Sequence, residues 1–145
     1  GHFKIRIEQL ILKLPQKKHA IIRLPMVFGA QSPRNNEIKT LIKLNEPIEL
    51  FPNLIINVNS GKKVSQQLHY IINRNKHGTY HLGSTDLVCH DDFIKELVNK
   101  LGGNKSRYKL VYTTNESRYL AVLPKYNKLP KHLQLNSDHV LNNSI

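Results

Sequence analysis

The 145-residue sequence has no tryptophan, one methionine and one cysteine, Cys89. A single cysteine excludes an internal disulfide framework and a multi-cysteine zinc module. Acidic residues are also scarce: 10 Asp and Glu stand against 22 Lys and Arg, leaving a formal net charge of +12. No apolar run approaches the roughly 20 residues a helix needs to cross a bilayer, so no membrane span is expected. The first residue is not Met, and no charged-then-apolar leader follows it. The expectation is a fragment or processed chain from a reducing, cytoplasmic setting. Against these absences, 39% of the residues are hydrophobic and the mean hydropathy is −0.42. That is enough apolar material for one domain or a large piece of one, and too much for disorder.

An isoelectric point near 9.9 invites a nucleic-acid reading, because neutralising phosphates takes clustered Lys and Arg. The clusters are short: Lys17-Lys18-His19, Lys62-Lys63 and Lys105-Ser106-Arg107. No RNP motif, zinc-finger spacing or basic coiled coil accompanies them. Joint enrichment in Asn, Lys and Ile matches a coding bias as well as a binding groove. A basic nucleic-acid-binding domain therefore stays as a rival reading and not the first one. A nucleotide diphosphate suits the same charge.

Along the chain, Phe3, Ile7, Leu10, Ile11 and Leu14 recur at the spacing of one buried helical face, ended by Pro15. Ala20 to Leu24 reads as a buried strand, and Pro25 to Pro33 as a loop. Ile38, Leu41 and Ile42 mark a short helix. Ile48 and Leu50 alternate with Glu49 as a small strand, and Leu54 to Val58 forms another apolar run. A helix from Lys62 carries Val64, Leu68, Ile71 and Ile72. A strand at Thr79–Leu82 and a loop at Gly83–Asp86 precede a helix with Ile94, Leu97, Val98 and Leu101 inside. Asp91 and Asp92 sit in its first turn, where negative charge suits the dipole, and Gly102-Gly103 ends it. Leu110–Tyr112 and Ala121–Leu123 are candidate strands, Lys125–Leu135 an extended stretch, and Ser137 a candidate cap for a last helix at Asp138–Leu141. Helices and strands alternate, which makes the class α/β or α+β.

Four stretches carry a resemblance: Gly1-His2-Phe3-Lys4 with Glu8; Ile22-Arg23-Leu24-Pro25-Met26-Val27-Phe28-Gly29; Gly78-Thr79-Tyr80-His81-Leu82-Gly83 followed by Asp91-Asp92-Phe93; and Lys128-Leu129-Pro130 with Leu135-Asn136. In this order and spacing they resemble the C-terminal half of an extended short-chain dehydrogenase/reductase. The flavour is that of dTDP-4-dehydrorhamnose reductases and sugar-nucleotide epimerases. The resemblance implies the end of a Rossmann-like parallel sheet in residues 1–33 and a small α/β substrate-binding subdomain, with intermixed core elements, in 34–145. It implies NAD or NADP as cofactor, a nucleotide-sugar substrate, a missing N-terminal half of the same subunit as partner, and a possible homo-oligomer. Three features depart from the family: there is no glycine-rich phosphate turn, Lys62-Lys63 stands where an acidic pair is common, and Asn57 stands near a common substrate-contacting Arg.

The resemblance also assigns roles. Lys4 becomes the lysine of the family's Tyr-x-x-x-Lys motif, whose tyrosine falls just before Gly1. Its ammonium lowers the tyrosine pKa and holds the nicotinamide ribose. Leu24, Pro25 and Met26 would line the cofactor and sugar pocket, and Met26, Arg34, Asn36 and Asn57 would meet the substrate. Each has a plainer reading. Lys4 lies roughly 20° from Ile11 around the helix, where a lysine stem can simply cover apolar surface. Leu24–Met26 suits an ordinary turn, and Arg34, Asn35 and Asn36 a solvated loop. His77 and His81 stand four apart and Cys89-His90 follows, but Gly78 and the strand-like Thr79-Tyr80 break the helical geometry that would turn both rings to one metal, and no third ligand is evident, so no metal is expected. Two functions remain beside the nucleic-acid one: part of an NAD(P)-dependent reductase or epimerase, and a non-catalytic sugar-nucleotide-binding or regulatory module of the same fold.

Overall fold

The computed structural model describes residues 1–125 and 128–145. The chain opens with α1 (His2–Ile11), a 3-10 turn at Gln16–Lys18, β1 (Ala20–Arg23), β2 (Met26–Phe28) and α2 (Pro33–Leu44). Then come β3 (Ile48–Leu50), β4 (Leu54–Ile56), β5 (Val58–Ser60), α3 (Gly61–Asn73), β6 (Gly78–His81) and β7 (Val88–Cys89). It closes with α4 (His90–Lys100), β8 (Tyr108–Leu110), β9 (Arg118–Leu120), a 3-10 turn at Lys131–Leu133 and α5 (Ser137–Asn142). The class is α/β. β1 runs parallel to β6, β2 to β5, β3 to β8 and β4 to β9, and among the described residues only the β4–β7 pair is antiparallel. Parallel partners need long crossovers, which the intervening helices supply.

Two apolar clusters hold these elements. The larger gathers Phe28, Leu50, Ile56, Val58, Phe93, Leu97 and Val140 from β2–β5, α4 and α5. The smaller joins Ile71, Tyr80, Leu82, Leu129 and Leu133, with Ala20 and Ile22 packed against it. Between them runs a seam of buried polar side chains: Asn57, Asn59, Ser60, Gln67 and Ser84. Asn57 donates to the carbonyls of Ser84 and Val122 and accepts from the Val122 amide. Asn59 donates to Leu82 O and Gln67 Oε1, and Gln67 donates onward to Leu133 O.

The structure corrects several expectations. Residues 25–33 are not all loop, since Met26–Phe28 is a strand paired with Val58–Ser60. Three residues between Pro25 and Gly29 are too short to show a period, and their partner is distant in sequence. The apolar run 54–58 is two strands broken at Asn57. Residues 121–123 are not a strand, because the Asn57 side chain takes both backbone groups of Val122 and the pairing belongs to Arg118–Leu120. Ile72 faces out at 70% exposure, roughly 100° around the helix from buried Ile71. Asn136, not Ser137, caps α5 by accepting from the His139 amide. The Ser137 hydroxyl and amide instead donate to the Asp86 carboxylate. The stretch 125–135 contains a 3-10 turn, and its residues 126–127 lie outside the described residues.

α1 forms where the periodicity places it, but none of its residues is buried. Phe3 is 76% exposed and Leu10 56%. The apolar face is real and has no cover among the described residues.

Asn57→Ala should lower unfolding free energy by about 2–4 kcal/mol, since it strands one buried and two partly buried backbone groups. Gly83→Ala should be comparably harmful, because its Cβ would fall 2.6 Å from Val122 O and run into the Asn57 amide. Urea unfolding measures both. A loss below about 0.5 kcal/mol at Asn57 would remove the seam's importance.

Candidate functional site

α2 is set in place by a compact N-terminal device. The Ser32 hydroxyl oxygen accepts from the Asn35 amide, and Pro33 occupies the first turn, where its missing N–H costs nothing. Asn35 is fully buried; its Oδ1 accepts from the Gly29 amide and the Ser32 hydroxyl, and its amide donates to Ser144 O. A side chain in the first turn thus ties the helix to both β2 and the C-terminus. This orientation aims Arg34, Glu37, Ile38 and Leu41 at a cleft of about 450 Å³.

Met26, Phe28, Ile48 and Ile94 supply apolar walls to that cleft, and Arg34, Glu37 and Glu49 bring charge. The Arg34 guanidinium lies 6.0 Å from the Phe28 ring centroid, within cation–π reach. Phe51 and His90 meet edge to face, with ring centroids 5.1 Å apart. The Phe51 amide donates to His90 Nδ1 at 3.2 Å, which assigns the proton of the neutral ring to Nε2. Burial holds the His90 pKa below its usual value; the Arg34 charge pushes the same way and Asp91 opposes. The volume and the mixture of apolar walls with a few polar groups are those of a small-molecule site. A planar, polar-edged molecule bearing an anionic group would find aromatic surface, a neutral N–H donor, carboxylate acceptors and one exposed cation.

A second cluster lies on α1 and the β1–β6 pair. Arg23 forms a two-pronged ion pair with Glu8, at 2.7 and 3.0 Å. It also reaches His81 Nε2 at 3.2 Å, while His81 Nδ1 donates to Leu123 O at 3.0 Å. Arg23 holds the Glu8 carboxyl below its ordinary range, chiefly through this hydrogen bond. Glu8 lies one turn from Lys4 on the same helical face, so the pair fixes the rotation at which α1 presents Lys4.

The structure brings two of the sequence-derived site residues together: Met26 and Arg34 share the cleft. Lys4 is exposed, carries no hydrogen bond or ion pair among the described residues, and is not in the cleft wall. Leu24 and Pro25 follow the carboxyl end of β1, Leu24 exposed and Pro25 half-buried. Asn36 is exposed and donates weakly to Gln31 O at 3.4 Å. Asn57 is wholly buried with both amide hydrogens used inside the chain. Phe51 and His90 were missed as site residues. His90 looks like any helix-start histidine in sequence, and it reaches Phe51 only through the tertiary fold. Cys89, Asp91 and Asp92 cluster at the start of α4, where negative charge suits the helix dipole.

No family model matches this sequence, and no curated protein does at a comparable level. Solved structures do. The fold is that of the sugar-nucleotide reductases and epimerases. A dTDP-4-dehydrorhamnose reductase from Bacillus anthracis, crystallised with NADP, superposes with a TM-score of 0.72 at 15% identity over 94% of this chain and 51% of its own. The Clostridium acetobutylicum enzyme of the same name gives 0.72 at 14%, over 99% and 53%. A UDP-N-acetylglucosamine 4-epimerase from Methanobrevibacter ruminantium, in complex with UDP-N-acetylmuramic acid, gives 0.64 at 11%, over 86% and 43%. The chain thus spans about half the length of these relatives in structure. Among the described residues no helix is long and apolar enough to cross a membrane.

The depressed His90 pKa gives a signed pH dependence. The unfolded chain binds the imidazole proton from the ordinary value of 6.5 downward, while the folded chain resists it. Stability is therefore full above that value and falls as pH drops through the window below it. His90→Asn keeps an acceptor for the Phe51 amide and removes the titration. The wild-type-minus-variant difference in urea unfolding free energy should shrink as pH falls from about 7 to 5. A difference that stays flat over that range would refute the buried-neutral histidine.

Proposed function

We propose that this chain is the substrate-side portion of an NAD(P)-dependent reductase or epimerase that acts on a nucleotide-linked sugar in the cytoplasm. The observation that carries the reading is the cleft between α2, β3 and the start of α4. It stands in a fold shared with proteins crystallised with NADP and with a nucleotide sugar. Its aromatic walls suit the base, and Arg34 suits the diphosphate, which its planar fork can engage at two oxygens. Met26 would separate this subsite from the sugar. Asn36 stands about 200° around α2 from Arg34 and donates to Gln31 O, so it serves this reading by holding the loop before the helix and not as a cleft contact. Asn57 serves this reading as the scaffold of the loop 83–86 and not as a ligand contact.

The chain has part of what a dinucleotide needs. It contains no glycine-rich turn for the pyrophosphate. It does offer, at Lys4, an ammonium unpaired among the described residues, and the Leu24–Pro25 step at the end of a parallel strand, the position at which α/β folds take ligands. When bound, the nicotinamide would accept or return a hydride. Lys4 would hold the ribose hydroxyls and keep a neighbouring tyrosine acidic, while the Glu8–Arg23 pair fixes the helix that carries it. Leu24, Pro25 and Met26 would exclude water from the face they cover.

In this reading residues 1–33 close the dinucleotide-binding domain and 34–145 form the substrate subdomain. The open apolar side of α1 is where the other half of the subunit packs. The chain alone then binds the nucleotide but turns nothing over. Calorimetry with dTDP and UDP should give binding to this chain, weakened about tenfold by Arg34→Gln, the loss expected for one charge-assisted hydrogen bond. In the full-length subunit Lys4→Met should lower kcat about a hundredfold or more with that binding intact. Absence of nucleotide binding, or binding indifferent to Arg34, would overturn the reading.

A further inference from the structure

The sparse acidic residues are unevenly placed. Residues 50–85 contain no Asp or Glu, and neither do residues 117–137. These two acid-free segments are far apart in sequence, yet the fold lays one on the other. Lys63 donates to His132 O, Gln67 donates to Leu133 O, and α3 packs against the 3-10 turn at 131–133. Lys62, Lys63, His69, Tyr70 and the C-cap Arg74 fall within roughly 140° of arc along α3, bordering the buried side marked by Gln67, Ile71 and Val64. Lys131 and His132 add to that face from the turn, and both are exposed.

The face is concave. A groove of about 680 Å³ runs between α3 and the turn, walled by Gln66, His69, Tyr70, Arg74 and His132. The Arg74 guanidinium sits 5.7 Å over the Tyr70 ring, and the exposed His69 ring is held by Asn73 at 2.8 Å. A groove walled by Arg74, amide donors and flat rings, on a face that also carries Lys62, Lys63 and Lys131, with no carboxylate from either segment, matches a chain of phosphates joined to bases. A flat anionic membrane matches it less well, since the groove offers donors and no apolar wedge.

We propose that the α3 face with the turn at 131–133 is a docking surface for single-stranded nucleic acid, separate from the cleft of Arg34 and His90. Phosphates lie along Lys62, Lys63, Arg74 and Lys131, and bases stack on Tyr70, His69 and His132. The surface is independent of the nucleotide-sugar reading and stands or falls without it.

The test is fluorescence anisotropy of a labelled oligothymidylate against this chain, across about 50 to 200 mM salt. Lys62→Glu with Lys131→Glu should weaken binding at least tenfold and reduce the salt slope by about one to two. A control pair of equal charge change, Lys105→Glu with Lys109→Glu, lies outside the face and should weaken it no more than about twofold, with far-UV circular dichroism showing both pairs folded. Equal losses in the two pairs would mean general attraction to net charge and would overturn the proposal. So would absence of binding at the lowest salt, or retention by anionic phosphatidylserine vesicles without oligonucleotide binding.

Discussion

The buried amide of Asn57 is the constraint on which the rest of this structure turns. It stands where the run 54–58 breaks into β4 and β5, and it ties three separate backbone groups to one point. Ser84 continues the seam: it exchanges hydrogen bonds with both backbone groups of Val58 and donates to Asp86 O. The Asp86 carboxylate then receives Ser137 and so docks α5. A second branch, from Asn59 through Gln67, reaches Leu133. Apolar clusters alone are forgiving about register, whereas a satisfied buried network admits few arrangements. The seam fixes how the two clusters meet, and with them the loop 83–86 and the C-terminal segment.

Two candidate features hang from that frame. The larger cluster backs the cleft, so Met26, Phe28, Ile48 and Ile94 belong to the core and to the cleft wall at once. The smaller cluster anchors β1 and β6, at whose ends Arg23 grips Glu8 and is itself met by the His81 ring. The cleft is well formed, while α1 is held by little more than this exposed ion pair. Exposed pairs are worth only tenths of a kcal/mol to about 1 kcal/mol. A helix with a wide apolar face and so weak an attachment calls for a further surface, which the other half of a reductase subunit would provide.

The sequence made the regular elements legible where a period had room to run. α3 and α4 each fill several turns, and their apolar spacing located them within a few residues. β3 showed itself through Ile48-Glu49-Leu50, whose alternation survives as inside, outside, inside. β2 did not, because three residues between two breakers carry no period. The end of the chain misled for another reason: Val122 has a strand-like neighbourhood, but a side chain from 65 residues away takes its backbone groups. Arg34 and Met26 could be singled out from local motifs. His90 and Phe51 could not, since their edge-to-face contact exists only after α4 packs beside β3. The basic face of α3 was half visible as Lys62-Lys63; its other half arrives from the segment around Lys131.

The sequence encoded directly upstream of Gly1 tests the central claim most directly. A half-subunit of a sugar-nucleotide reductase or epimerase requires a tyrosine in the position before Gly1 and a glycine-rich turn after a strand farther upstream. Finding both would establish Lys4 as the partner of that tyrosine. An upstream sequence with another residue in that position and no such turn would contradict the account, and the cleft would then belong to a binding module without the hydride chemistry.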